Sequence, residues 1–183
     1  MDVSLLCAVL SLPHAFYFVL WKWPKLWMRA VKKLLRTSDP CDAMATCAHG
    51  LKILQAVAIV YWLSTHCVDD CSVHAVLLQP GWRLLCGVFL IAVGQTLNVS
   101  VYMAIGKHGV YYGHKFGKRI PWCTKFPYNF RLSHPQYVGG VLTFWGCAAL
   151  LWLPSLVDAG LGVVCLVWTA YYVATACVED FVE

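Results

Sequence analysis

Glu179 and Asp180 stand directly after the apolar run Leu161 to Val178. The C-terminal end of a helix carries roughly half a negative charge, so carboxylates there are disfavoured, and cations favoured, by about 0.3–1 kcal/mol. An acidic pair in that position suits a site that holds a cation. Two polar stripes run toward the same depth. Gln95, Asn98 and Tyr102 share one helical face, and so do Trp168, Tyr172, Thr175 and Glu179. Polar groups inside membrane helices are costly and usually face a bundle interior or a cavity; ordinary interhelical hydrogen bonds are the other use of such stripes. Between the stripes lies a basic, glycine-punctuated loop, 106–136, that ends in Arg131, His134 and Pro135. Proline suits the first turn of a helix beginning near Tyr137. That helix start, flanked by Arg131 and His134, favours an anionic group such as a carboxylate or phosphate.

These groups need helices long enough to carry them. The chain has 183 residues, 60% of them hydrophobic and 13% charged, which predicts a single-domain, all-α integral membrane protein over residues 1–183. A hydrocarbon core needs about 20 helical residues. Val3 to Leu20, Leu51 to Ser64 with its flanks, Leu84 to Ile105 and Leu161 to Val178 meet or approach that length. A fifth run, Val138 to Leu153, is shorter, at about 24 Å, and Pro154 and Asp158 mark a turn after it. The expectation is four to five transmembrane helices, the last two as a hairpin, with the fifth run either crossing or re-entrant. Asp2 stands where a signal peptide would be basic, and no small-residue site precedes the basic stretch, which argues against a cleaved leader.

Twelve of the 14 basic residues fall in two alternate loops, Lys22 to Arg36 and Lys107 to Arg131. The positive-inside rule puts both loops, and with them Glu179 and Asp180, on the cytosolic face. In residues 21–36, Trp23, Leu26, Trp27, Ala30, Val31, Leu34 and Leu35 recur at helical spacing opposite Lys25, Arg29, Lys32 and Arg36. That pattern predicts an interfacial amphipathic helix on an anionic lipid surface. A nucleic-acid surface has no use for the apolar stripe, so no nucleic-acid partner is expected.

Cys7, Cys86, Cys147, Cys165 and Cys177 sit within apolar runs, where cysteine acts as a small hydrophobe. The group His66, Cys67, Asp69, Asp70, Cys71 and His74 offers metal-ligand types, but its spacing is short and isolated. Free thiols are expected there and no metal, with a Cys67–Cys71 disulfide as the alternative.

A set of motifs carries a resemblance. Ala104-Ile-Gly106-x-x-Gly109, Tyr112-Gly113, Phe116-Gly117, Phe126-Pro-Tyr128, His134-Pro-Gln-Tyr137-Val-Gly139, Trp145-Gly146 and Glu179-Asp180-Phe181 together resemble the eukaryotic phosphatidylethanolamine N-methyltransferases. The wider group, which includes the isoprenylcysteine carboxyl methyltransferases, shares the His-Pro-x-Tyr-x-Gly element and a terminal acidic pair. The likeness runs from the third span to the C-terminus. It implies S-adenosylmethionine as methyl donor, held by a Gly-x-Gly that falls here on Ala92, Val93 and Gly94 and by an acidic pair that falls on Glu179 and Asp180. Ala92 and Asp180 depart from that family pattern, which has glycine and glutamate there. The family often has Asn-Pro where this chain has His134-Pro135.

The implied reaction is N-methylation of phosphatidylethanolamine, or of its mono- and dimethyl products, toward phosphatidylcholine in the endoplasmic reticulum membrane. Two other readings stand beside it: a carboxyl methyltransferase of prenylated cysteine, and a non-catalytic lipid-binding scaffold. On the first reading Glu179 and Asp180 pair with the cationic parts of the donor, and Arg131 and His134 with its carboxylate. An attacking amine must be neutral, and a carboxylate beside it raises its pKa. Glu179 is therefore a clamp, while His134, Tyr137 or a water accepts the proton.

Overall fold

The computed structural model describes residues 1–35, 39–67 and 72–182. Arg36, Asp69, Asp70 and Cys71 lie outside that set, and with them the Cys67–Cys71 pairing. Helix α1 spans Val3–Lys22, started by Asp2, whose carboxylate accepts from Leu5 N at 2.7 Å. Trp23 leaves the helical region because Pro24 follows it. The basic segment expected as one helix over 21–36 therefore divides: α1 carries its first two residues, α2 spans Pro24–Ala30, and a π-turn follows over Val31–Leu35. Helix α3, Pro40–His66, opens with proline in its first turn and Asp39 as its cap, accepting from Cys41 N at 2.9 Å. Short α4 covers Val73–Leu77, and α5 covers Gly81–Val110. Helix α6, Pro135–Leu150, is followed by the single turn α7, Pro154–Asp158, and by α8, Leu161–Phe181.

Helices α1, α3, α5 and α8 are long and apolar enough to cross a membrane. Named contacts fix the directions. The start of α1 meets the start of α8, where Val3 packs over Gly160, and their ends meet where Trp21 Nε1 donates to Val182 O at 2.6 Å. These two helices are parallel. Helix α3 runs against them, with Trp62 packed with Leu6 and Met44 packed with Leu20. Helix α6, though only 16 residues long, runs against α5: Gly139 lies on Gly94, Gly146 lies on Gly87, and Gln79, just before α5, donates to Leu150 O at 2.7 Å. The closest helix pair is thus α5 with α6, and α8 packs on both α1 and α6.

The glycine pairs explain that pairing. A Cβ on Gly94 would stand 2.4 Å from Thr143 Oγ1 and 2.6 Å from Gly139 O. Small residues let membrane helices approach backbone to backbone, where van der Waals contact replaces the missing hydrophobic drive. Both basic loops gather at one end of the bundle. Lys118 Nζ is 2.8 Å from Asp39 Oδ2, Lys107 Nζ is 2.6 Å from Asp42 Oδ1, and Lys115 sits over the Trp21 ring at 3.9 Å. The charge distribution along the sequence is thus gathered into one polar face.

Candidate active site

Gly106 breaks α5 with φ +64° and ψ −179°, a backbone that a side chain would strain. The chain beyond it turns across the bundle end and brings Tyr112 to the start of α6 and the end of α8. Tyr112 itself is left-handed, at φ 53° and ψ 29°. A non-glycine residue held there costs about 1–3 kcal/mol and persists only where its surroundings over-determine it. Its ring packs edge-on against Trp21 at 5.2 Å, and its hydroxyl donates to Glu179 Oε1.

Glu179 is the centre of the cluster. Tyr137, on the first turn of α6, also donates to its Oε1. The other oxygen, Oε2, faces His134 Nδ1 at 3.5 Å, and His134 Nε2 lies 2.9 Å from Asp180 Oδ1. His134 stacks parallel on Tyr137, with centroids 5.2 Å apart. The Glu179 side chain is 10% exposed, while Asp180 at 45% sits on the rim. Two neutral phenol donors thus fix one oxygen of a buried carboxylate, and the second oxygen keeps acceptor capacity for a cation.

A cavity of about 220 Å³ opens on this carboxylate, walled by Trp21, Tyr112, Trp122, Tyr128, His134 and Tyr137. Aromatic faces around one carboxylate suit a cation through charge pairing and cation–π attraction. A second cavity, about 330 Å³, adjoins it and shares Val110, Tyr112, Gln136 and Tyr137. A nearly wholly apolar groove of about 350 Å³ between α1 and α8 also reaches Tyr112 and Glu179. Three spaces therefore converge on the same tyrosine.

Of the residues singled out in the sequence, His134, Tyr137, Glu179 and Asp180 come together here. Gly94 is buried in the α5–α6 seam, Ala92 is exposed and Val93 partly buried, and none of the three lines the Glu179 cavity. Arg131 is exposed and left-handed at φ 56°, and it also lies outside the lining of that cavity. The two polar stripes divide their duties. Asn98, Tyr102 and Tyr172 line the second cavity, Thr175 accompanies Glu179 in the apolar groove, and Gln95 bonds across the seam to Thr143 at 3.0 Å.

Residues 82–182 match the family model described as phospholipid methyltransferase. The chain is 35% identical over 156 residues to the phosphatidyl-N-methylethanolamine N-methyltransferase of Arabidopsis thaliana, covering 83% of this chain and 81% of that one. It belongs to the phospholipid methyltransferase family. Two further members are similar. The human phosphatidylethanolamine N-methyltransferase is 27% identical over 99% of this chain and 87% of its own length. That of Neurospora crassa is 29% identical over 82% of this chain, which corresponds to 18% of the longer fungal protein. No solved structure matches the chain. This phospholipid methyltransferase is a multi-pass membrane enzyme, and its family implies a methyl donor. The matched segment begins in α5 and holds every residue of the Glu179 cluster.

Tyr112 was visible in the sequence only as part of a motif. Its place at the carboxylate follows from the Gly106 break and its own left-handed backbone, neither of which spacing reveals. Lys52, which lines the second cavity, carried a plainer signal: a charge at the edge of an apolar run.

Proposed function

We propose that this protein transfers methyl groups from S-adenosylmethionine to the amine of phosphatidylethanolamine, or of its mono- and dimethyl derivatives, toward phosphatidylcholine. We place it in the endoplasmic reticulum membrane with the Glu179 end facing the cytosol. The observation that carries the reading is the Glu179 cluster, a buried carboxylate with one oxygen fixed by Tyr112 and Tyr137 and the other turned to an aromatic cavity. The relatives' names give the substrate class: one acts on phosphatidyl-N-methylethanolamine and two on phosphatidylethanolamine.

The donor set fits the methyl donor. S-adenosylmethionine supplies a methyl group on a sulfonium, beside an ammonium and a carboxylate. Glu179 and Asp180 hold the cationic parts, and the rings of Trp21, Trp122 and Tyr128 exclude water and add attraction of about 0.5–2 kcal/mol per good contact. Arg131 and the start of α6 attract the carboxylate. The family resemblance assigns Ala92, Val93 and Gly94 to the donor as well; of the three, Gly94 lies in the α5–α6 seam, where it seats α6 and so helps set the positions of His134 and Tyr137.

Methyl transfer to an amine is an in-line displacement, so positioning supplies most of the acceleration. The amine must first lose a proton. At a pKa near 10.4 this costs about 4–5 kcal/mol at pH 7. His134 Nδ1 is the acceptor, with Asp180 holding Nε2 and the stacked Tyr137 fixing the ring plane. Tyr137 keeps its own proton on Glu179.

Purified protein incubated with methyl-labelled S-adenosylmethionine and phosphatidylethanolamine vesicles is expected to place label in phospholipid. Label in no phospholipid, including vesicles of the monomethyl derivative, would overturn the reading.

A further inference from the structure

Lys52 stands one residue into the apolar run that begins at Leu51. A lysine at a membrane boundary usually stretches its ammonium outward to water. Lys52 turns inward. Its Nζ donates to Tyr172 Oη on α8 at 3.1 Å and lies 5.3 Å from the Trp168 ring centre and 5.5 Å from that of Tyr172. Among the described residues no carboxylate stands within ion-pair distance of it. A charge in this setting is accompanied by one phenol and two ring faces, with no anion to balance it.

The space beside it is the cavity of about 330 Å³. Its lining includes Lys52, His49, Asn98 and Gln136 but neither aspartate nor glutamate. The adjoining cavity holds Glu179. A wall shared through Tyr112, Gln136 and Tyr137 thus separates a positive pocket from a negative one. With the donor's cation in the negative pocket, the positive one is left for an anion on the molecule that meets the donor.

We infer that the Lys52 cavity is the phosphodiester subsite of the lipid acceptor, with Lys52 as its counter-ion and Asn98 and Gln136 as amide donors. This rests on the reading of the Glu179 cluster as a methyl-transfer site. A phosphodiester and an amine joined through two carbons span neighbouring pockets, so the anchored head group turns its amine across the shared wall toward His134, beside the donor that Glu179 holds. The donor's carboxylate is the other anion in the reaction. It fits less well, because Lys52 belongs to α3, and α3 contributes nothing to the lining of the Glu179 cavity. The tyrosines around Lys52 serve the phosphate in a second way. They supply neutral hydrogen bonds without adding a competing negative charge.

Rates of methyl transfer against phospholipid mole fraction in mixed micelles test the subsite, for the wild type, Lys52→Arg and Lys52→Met. Lys52→Met is expected to raise KM for the lipid by about tenfold or more, while Lys52→Arg keeps the charge and recovers most of the loss. Binding of S-adenosylhomocysteine, read by calorimetry, is expected to be unchanged in both variants, which also reports that they fold. A lipid KM unmoved by Lys52→Met overturns the inference. So does weakened S-adenosylhomocysteine binding with an unmoved lipid KM, which assigns Lys52 to the donor's carboxylate. If Lys52→Met fails to fold, Tyr172→Phe, which removes the hydroxyl that orients Nζ, takes its place with the same expected rise in KM. Glycerophosphoethanolamine reads the site without catalysis: it is expected to bind the wild type and to lose that binding in Lys52→Met. Equal binding to both overturns the inference. Lysine-dependent binding by a wild type that methylates no phospholipid keeps the anion subsite and overturns the methyl-transfer reading instead.

Discussion

Glu179 is held by two phenols on one oxygen, and that geometry makes the tyrosines testable separately from the carboxylate. Tyr112→Phe and Tyr137→Phe each remove one donor to Oε1. Each is expected to weaken S-adenosylhomocysteine binding by about tenfold, the worth of a hydrogen bond to a charged group. The double variant is expected to depart from the sum of the two, because both act through one atom; calorimetry on the four proteins checks this. The acidic pair was legible from its charge alone, since a carboxylate at a helix C-terminus runs against the dipole. His134 and Tyr137 were legible from a motif at a helix start. Tyr112 was not, because a left-handed backbone decides where its side chain goes. Arg131 stands on the rim: a left-handed turn that spacing does not reveal leaves it exposed, outside the lining of the Glu179 cavity.

Among the elements, the α5–α6 seam carries the site. Gly94→Ala would put a methyl 2.6 Å from Gly139 O, a backbone atom with no rotamer to relieve the clash. The expected cost is about 1–3 kcal/mol, seen as a lower melting temperature in detergent. Gly50→Ala, within α3 and with nothing within 4 Å of the added carbon, is the control, expected to be neutral or stabilising by up to about 1 kcal/mol. The start of α3 offers a second test. The Lys118 ammonium bonded to Asp39 holds that carboxyl below its ordinary value, and the Cys41 amide adds to the effect. A lowered folded-state pKa contributes stability that is present above the unfolded value, about 3.9, and is lost as pH falls through the folded value. Asp39→Asn keeps a helix cap but drops the charge. The melting-temperature gap between it and the wild type is therefore expected at pH 7 and should narrow steadily as the pH falls below about 3.9. The existence of the long helices was readable from hydropathy and Pro135 marked a helix start, whereas Pro24 divides the basic segment read as one helix and α3 begins well before its apolar run. The partner of each glycine was not readable, since one chain's spacing does not say which helix lies opposite.

The whole molecule presents its two basic loops, the ends of α1 and α8 and the Glu179 cluster at one end. Alternating helix directions follow from the contacts between ends, and a basic face of this kind predicts the cytosolic side. An epitope tag at the N-terminus is then expected to be protected from protease in sealed microsomes, while a protease site placed after Lys115 is cut; the reverse pattern would invert the orientation. The number of apolar runs and the charge bias along the chain account for most of this architecture. The counter-running α6 was the uncertain piece, because 16 residues is short of a full span and only its packing on α5 shows that it crosses the bundle. What joins this architecture to chemistry is the claim that Glu179 binds the cation of the methyl donor. Calorimetric titration of the wild type and of Glu179→Gln with S-adenosylhomocysteine, whose ammonium remains after the methyl group has left, tests it most directly. The expected result is saturable binding to the wild type and a loss of about tenfold or more in Glu179→Gln, with its melting temperature retained. Equal affinity in the two proteins would contradict the account.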